Sequence, residues 1–152
     1  MVEVSWYEAA AYCKWAGGRL ATEAEWECAA RCGRDGVRYP WGNEEPDEHR
    51  ANFAGRPGHP TPVGLYPGGA TPSGIDDLAG NVWEWVRDWW VGYSEAEAEN
   101  PRGPEEGASK VLRGGAWYSV ARNLRVSYRV RYLPEGRDDS LGFRCARELL
   151  SL

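Results

Sequence analysis

The 152-residue chain has no glutamine, one methionine, two lysines (Lys14 and Lys110) and two histidines (His49 and His59). Two histidines are too few for a three-histidine metal site. There is no apolar run long enough to span a membrane, and the opening, MVEVSWYEAAAYCKW, has no signal-like apolar core. This predicts no membrane association and a cytoplasmic location, or display at a cell surface if a segment is missing from the sequence. There is also no block of like charge, and the net charge is −5. Eight arginines between Arg113 and Arg147 alternate with aromatics, but the net acidity argues against nucleic acid as a partner. Sixteen arginines against two lysines point to a GC-rich or thermophilic source.

Nine tryptophans, eight tyrosines, nineteen glycines and ten prolines are abundant. That mixture fits an irregular, loop-rich fold more than a helical bundle. The length suits one domain, residues 1–152, able to bury a core of its own.

Ser5 to Glu8, SWYE, has the form of a capping box and opens a helix to about Ala16, which Gly17 and Gly18 end. Trp6, Ala9, Ala10, Cys13 and Ala16 share one face of it. Thr22 to Glu25, TEAE, opens a second helix to about Cys32, stopped by Gly33. From Asp35 to Gly74 there is no sustained periodicity, only turn signals such as YPWGN and GRPGHP. NVWEWVRDWW alternates as a strand, KVLRGGAW reads as a strand entering a glycine bend, and Ser94 to Ser109 as an acidic surface loop. Arg125 to Tyr132 alternates charged and apolar residues, a predicted strand, and Leu141 and Phe143 form a further short one. The order is α+β: two helices, long irregular loops, then short antiparallel strands.

VSWYEAAAYCKWAGGRLATEAEWECAAR, YPWGN, GIDDLAGNVWEWVRDWW, VLRGGAW and LGFRCARE follow one another along nearly the whole chain. Together they resemble the formylglycine-generating sulfatase enzyme family. The resemblance implies a C-type-lectin-like fold and covers the family's second half, so the chain reads as a short form or a truncated one. Family enzymes oxidise a substrate cysteine with copper and oxygen, the metal held by two cysteines five residues apart. The matching stretch here is SYRVRY, which places Ser127 and Tyr132 at the cysteine positions. Copper(I) wants soft thiolates, which this pair does not supply, so neither copper nor catalysis is expected.

Four cysteines remain. The resemblance implies a disulfide between Cys13 and Cys145. Cys28 and Cys32 stand i, i+4 on the second helix, a spacing too wide for a bridge, and a lone pair is a weak zinc signal. In DLAGNVWE, Asp77 and Glu84 are hard oxygen ligands beside a glycine bend. The resemblance implies a calcium site on Asp77, the Gly80 and Val82 carbonyls, and Glu84; the competing reading pairs both carboxylates with arginines. A second family site would use Asn52 and the Phe53 carbonyl, but the loop supplying its other ligands is shortened to AGRPGHPTPVG.

Lacking copper cysteines, the chain resembles the variable proteins of diversity-generating retroelements. In these, adenine-directed mutagenesis of asparagine codons never yields Lys, Glu, Gln, Met or Trp. Between Tyr118 and Ser140 only Glu135 belongs to that set, where about four would be expected by proportion. This reading makes about 113–145 a variable binding surface for a protein or small-molecule ligand, carried by Tyr118, Ser119, Val120, Val130, Tyr132, Asp138 and Ser140. The alternative is a formylglycine-generating or other metal-dependent oxidase or oxygenase acting on a thiol.

Overall fold

The computed structural model describes residues 1–92 and 103–148; part of the acidic 94–109 stretch lies outside the described residues. Helix α1 (Trp6–Trp15) and helix α2 (Glu23–Arg31) both start at capping boxes. Ser5 and Thr22 accept from the N3 backbone, and Glu8 and Glu25 reach back to the cap amides, so two orphan donors are satisfied at each start. Cys32 itself turns left-handed (φ 50°) at the end of α2, one residue before Gly33.

Between the helices lies β1 (Arg19–Leu20). Then come β2 (Trp83–Trp89), β3 (Lys110–Arg113), β4 (Arg129–Tyr132), β5 (Leu141–Phe143) and β6 (Cys145–Ala146). The main sheet has the order β4-β3-β2-β5, and β1 pairs with β6 in a two-stranded ribbon. The β4, β3 and β2 pairings are antiparallel, whereas β5 runs parallel to β2, which the sequence pattern did not predict. Residues 35–74 contain no helix or strand beyond one 3₁₀ turn, Pro67–Gly69, and two isolated bridges.

The predicted strand from Arg125 is only half right, because pairing begins at Arg129. The first half is diverted: the Val126 amide donates to the Arg38 carbonyl, and the Val126 and Ser127 carbonyls accept from the Arg113 guanidinium. These backbone groups are satisfied by a loop and a side chain rather than a ladder.

Each face of the sheet carries a core cluster, so the alternation in β2 separates two cores instead of core and solvent. One face gathers Trp83, Trp85, Leu112 and Leu141 with Ala9 and Cys13 of α1. The other gathers Val86 and Val111 with Trp26 and Ala30 of α2. Arg113, fully buried on the α2 side, pairs with Glu23 and Glu27, and Arg129 also reaches Glu23. A disulfide joins Cys13 to Cys145, fastening α1 to β6 across 132 residues; Cys28 and Cys32 are free thiols.

Candidate functional site

The α1-side face of the main sheet is not fully covered. Leu141, Trp83, Leu112 and Val130 come one from each strand, and they form the floor of a pocket of about 370 Å³. The registers explain why these four meet: Trp83 pairs with Leu141 and Leu112 with Val130, so their side chains emerge on one face. Tyr132 continues the row, its ring 6.2 Å from that of Trp85.

The walls come from loops held by their own hydrogen bonds. Gly114 (φ 94°) and Gly115 (φ 83°) turn the chain out of β3 where a Cβ would strain the backbone. Residues 117–119 are then pinned from behind, since Gly55 donates to the Trp117 carbonyl and Ala54 to the Ser119 carbonyl. The Ser119 hydroxyl accepts from the Ala116 amide at 2.9 Å. On the opposite wall the Ser140 hydroxyl donates to Asp138 Oδ1 at 2.6 Å, and the Ser140 amide donates to the same oxygen at 2.9 Å. Those bonds hold the Asp138 carboxyl below its usual range, so it is ionised at neutral pH. Tyr118 Oη lies 3.5 Å from Ser140 Oγ and links the walls.

All seven residues expected to meet a ligand therefore line one pocket: Tyr118, Ser119, Val120, Val130, Tyr132, Asp138 and Ser140. Their roles divide. Tyr118, Val120 and Tyr132 are about half exposed, whereas Ser119 and Ser140 are buried with hydroxyls spent on the loops. Sequence reasoning missed Trp83, Leu112, Asn123, Tyr128 and Leu141. The alternation in β2 and β3 contained the signal for Trp83 and Leu112; the cross-strand register that brings in Leu141 was not readable.

Of the pair at the family's cysteine positions, Tyr132 lines the pocket and Ser127 does not. The Ser127 side is exposed and its carbonyl accepts from Arg113, while Tyr132 faces the pocket. A hydroxyl and a phenol are hard donors, so the pair does not fit copper(I).

Asp77, Val82 and Glu84 border a second cavity of about 650 Å³. Glu84 is gripped on both oxygens by Arg144 at 2.7 Å, and Trp26 Nε1 donates to it at 2.7 Å. Arg144 also donates to the Asp76 and Asp77 carbonyls at 3.1 and 3.2 Å. Asp77 accepts from the Gly64 amide at 2.6 Å, and burial raises its pKa. Gly80 packs so close to the Asn52 carbonyl that an added Cβ would lie 2.4 Å from it. In this arrangement a guanidinium stands between Glu84 and the carbonyls of residues 76 and 77, so the set does not fit calcium unless Arg144 gives Glu84 up. The Asn52 amide donates to the His59 carbonyl and to Asn81, bracing the shortened loop. Among the described residues no group of three or more His, Cys, Asp or Glu is gathered for a metal, and no described helix is long and apolar enough to cross a membrane.

Among known proteins, the chain is 46% identical over 154 residues to "Serine/threonine-protein kinase pkn1" of Chlamydia pneumoniae, covering 98% of this chain and 24% of that protein. It is 43% identical to the formylglycine-generating enzyme of Thermomonospora curvata, covering 99% of this chain and 56% of the enzyme. The chain thus spans between a quarter and somewhat over half of these curated relatives. Among solved structures, Treponema denticola variable protein 1 superposes with a TM-score of 0.84 at 26% identity, covering 94% of this chain and 69% of that one. Residues 1–149 match the sulfatase-modifying factor enzyme 1-like domain, and the chain belongs to that family.

Proposed function

We propose that this domain is a non-catalytic ligand-binding module, with the stretch from about 113 to 145 displaying a variable surface as in diversity-generating retroelement variable proteins. The observation that carries the reading is the convergence of Tyr118, Val120, Val130, Tyr132 and Asp138 on one open pocket floored by a rigid sheet. A fixed floor with exposed loop side chains above it lets the contact residues change while the fold persists. Tyrosine offers large contact area with little conformational freedom to lose, which suits Tyr118 and Tyr132 to binding. The fold likeness to a variable protein supports the same reading.

A second reading follows from the formylglycine-generating relatives: an oxidase or oxygenase acting on a thiol. It would need a redox metal held by groups other than Ser127 and Tyr132. The two readings separate when the protein is incubated with copper, oxygen and a sulfatase-type cysteine peptide. The peptide is expected to stay unchanged by mass spectrometry; conversion of its cysteine to formylglycine would establish the oxidase instead.

A further inference from the structure

We infer that the pocket takes an organic cation, a ligand presenting a quaternary or alkylated ammonium group. This deepens the binding-module reading and rests on it. Four aromatic rings line the cavity, those of Trp83, Tyr118, Tyr128 and Tyr132, with the rings of Trp83 and Tyr128 6.2 Å apart. The one charged residue of the lining is Asp138. One of its oxygens is fixed by Ser140, while the side chain as a whole is exposed. Aromatic faces with a carboxylate alongside form the environment that recognises ammonium groups, because the ring quadrupole attracts a cation without needing to donate to it.

The surrounding arginines strengthen the inference by where they point. Residues 113–147 carry eight arginines, yet no arginine, lysine or histidine lines the pocket. Arg113 is buried against Glu23 and Glu27, Arg129 pairs with Glu23, and Arg131 lies over Trp90. Arg137 pairs with Glu8 and Arg144 with Glu84. The alternation in β4 accounts for two of these: Val130 and Tyr132 face the pocket, so Arg129 and Arg131 face away. Elsewhere the chain fills its aromatic faces from within: Lys110 Nζ sits 3.8 and 3.7 Å from the ring centres of Trp6 and Trp89. Among the described residues no such cation stands over the four pocket rings. The pocket is lined by aromatic rings and one carboxylate and by no positive side chain, while its volume matches a small ligand or a ligand's head group.

The test uses three molecules of nearly the same shape: choline, the neutral 3,3-dimethyl-1-butanol, and the anionic 3,3-dimethylbutanoate. Each is titrated into the full chain while amide NMR shifts are followed at Tyr118, Val130, Tyr132 and Asp138. Choline is expected to move these amides with a Kd at least tenfold below that of either isostere. Asp138→Asn is expected to weaken choline at least fivefold and leave the neutral isostere unchanged. The trimethylated side chain of Nα-acetyl-Nε,Nε,Nε-trimethyllysine amide, run in parallel, tells a side-chain quaternary ammonium from a free one, and binding of either in preference to the isosteres supports the inference. A neutral or anionic isostere binding as tightly as choline at these amides would overturn the cation claim and leave the binding surface standing. No shift at these amides with any of the four would overturn the cation claim and count against the binding surface as well.

Discussion

Lys110 shows how one residue can be both structural and titratable. Its side chain is 3% exposed, its ammonium lies between two indole faces, and it donates to the Arg87 carbonyl at 2.8 Å. Burial pushes its pKa down to about 8 from the ordinary 10.5, while the indoles and the nearby Asp88 favour the charged form. Between those two values the unfolded chain binds more protons than the folded one, so stability rises as pH increases through that window. Urea unfolding at about pH 7.5 and about pH 9.5 should show a gain of about 1–2 kcal/mol, less than the shift alone implies because of the indoles. Lys110→Met should abolish that gain. A wild-type stability that falls over the same window would contradict the assigned environment.

At the scale of elements, the helix starts are local and testable. Ser5→Ala and Thr22→Ala should each cost about 1 kcal/mol in thermal or urea unfolding, because each frees a capped amide. The partner carboxylates extend the effect. Arg137 beside Glu8 and Arg19 beside Glu25 hold both carboxyls at about 2, so the stability they confer is present above about pH 4.5 and is lost as pH falls toward 2. These starts were legible in the sequence because a capping box is complete within four residues. The glycine bend after β3 was legible for the same reason. The start of β4 was not, since Val126 and Ser127 are claimed by Arg38 and Arg113, residues far away in sequence. Parallel pairing of β5 with β2 was equally hidden, because period-two alternation does not encode strand direction. The pairing of Cys13 with Cys145 came from family resemblance; spacing alone leaves several pairings open.

For the whole molecule, the division is between a rigid sheet and the side chains that stand above it. The seven positions were singled out because retroelement variable proteins, which the chain resembles, carry their variable residues after RGGAW; that they line one pocket depends on strand register. Substitution should affect the two layers unequally. Tyr118→Ser, Val120→Ser and Tyr132→Ser should change unfolding free energy by no more than about 0.5–1 kcal/mol each, as exposed positions do. Leu112→Ala, in the floor at 2% exposure, should cost about 2–5 kcal/mol. Equal losses in both sets would mean the proposed display residues are core. The free Cys28 and Cys32 lie on the helix behind the opposite face of the sheet and play no part in this division.

An exposed set that is built to vary leaves its record in the DNA flanking the gene, and sequencing that DNA is the first test. A near-copy of codons 113–145 is expected beside a reverse transcriptase gene, with adenines where this chain encodes Tyr118, Ser119, Val120, Val130 and Tyr132. Flanking DNA with neither the copy nor the reverse transcriptase would contradict it and make the pocket a fixed site for a single ligand.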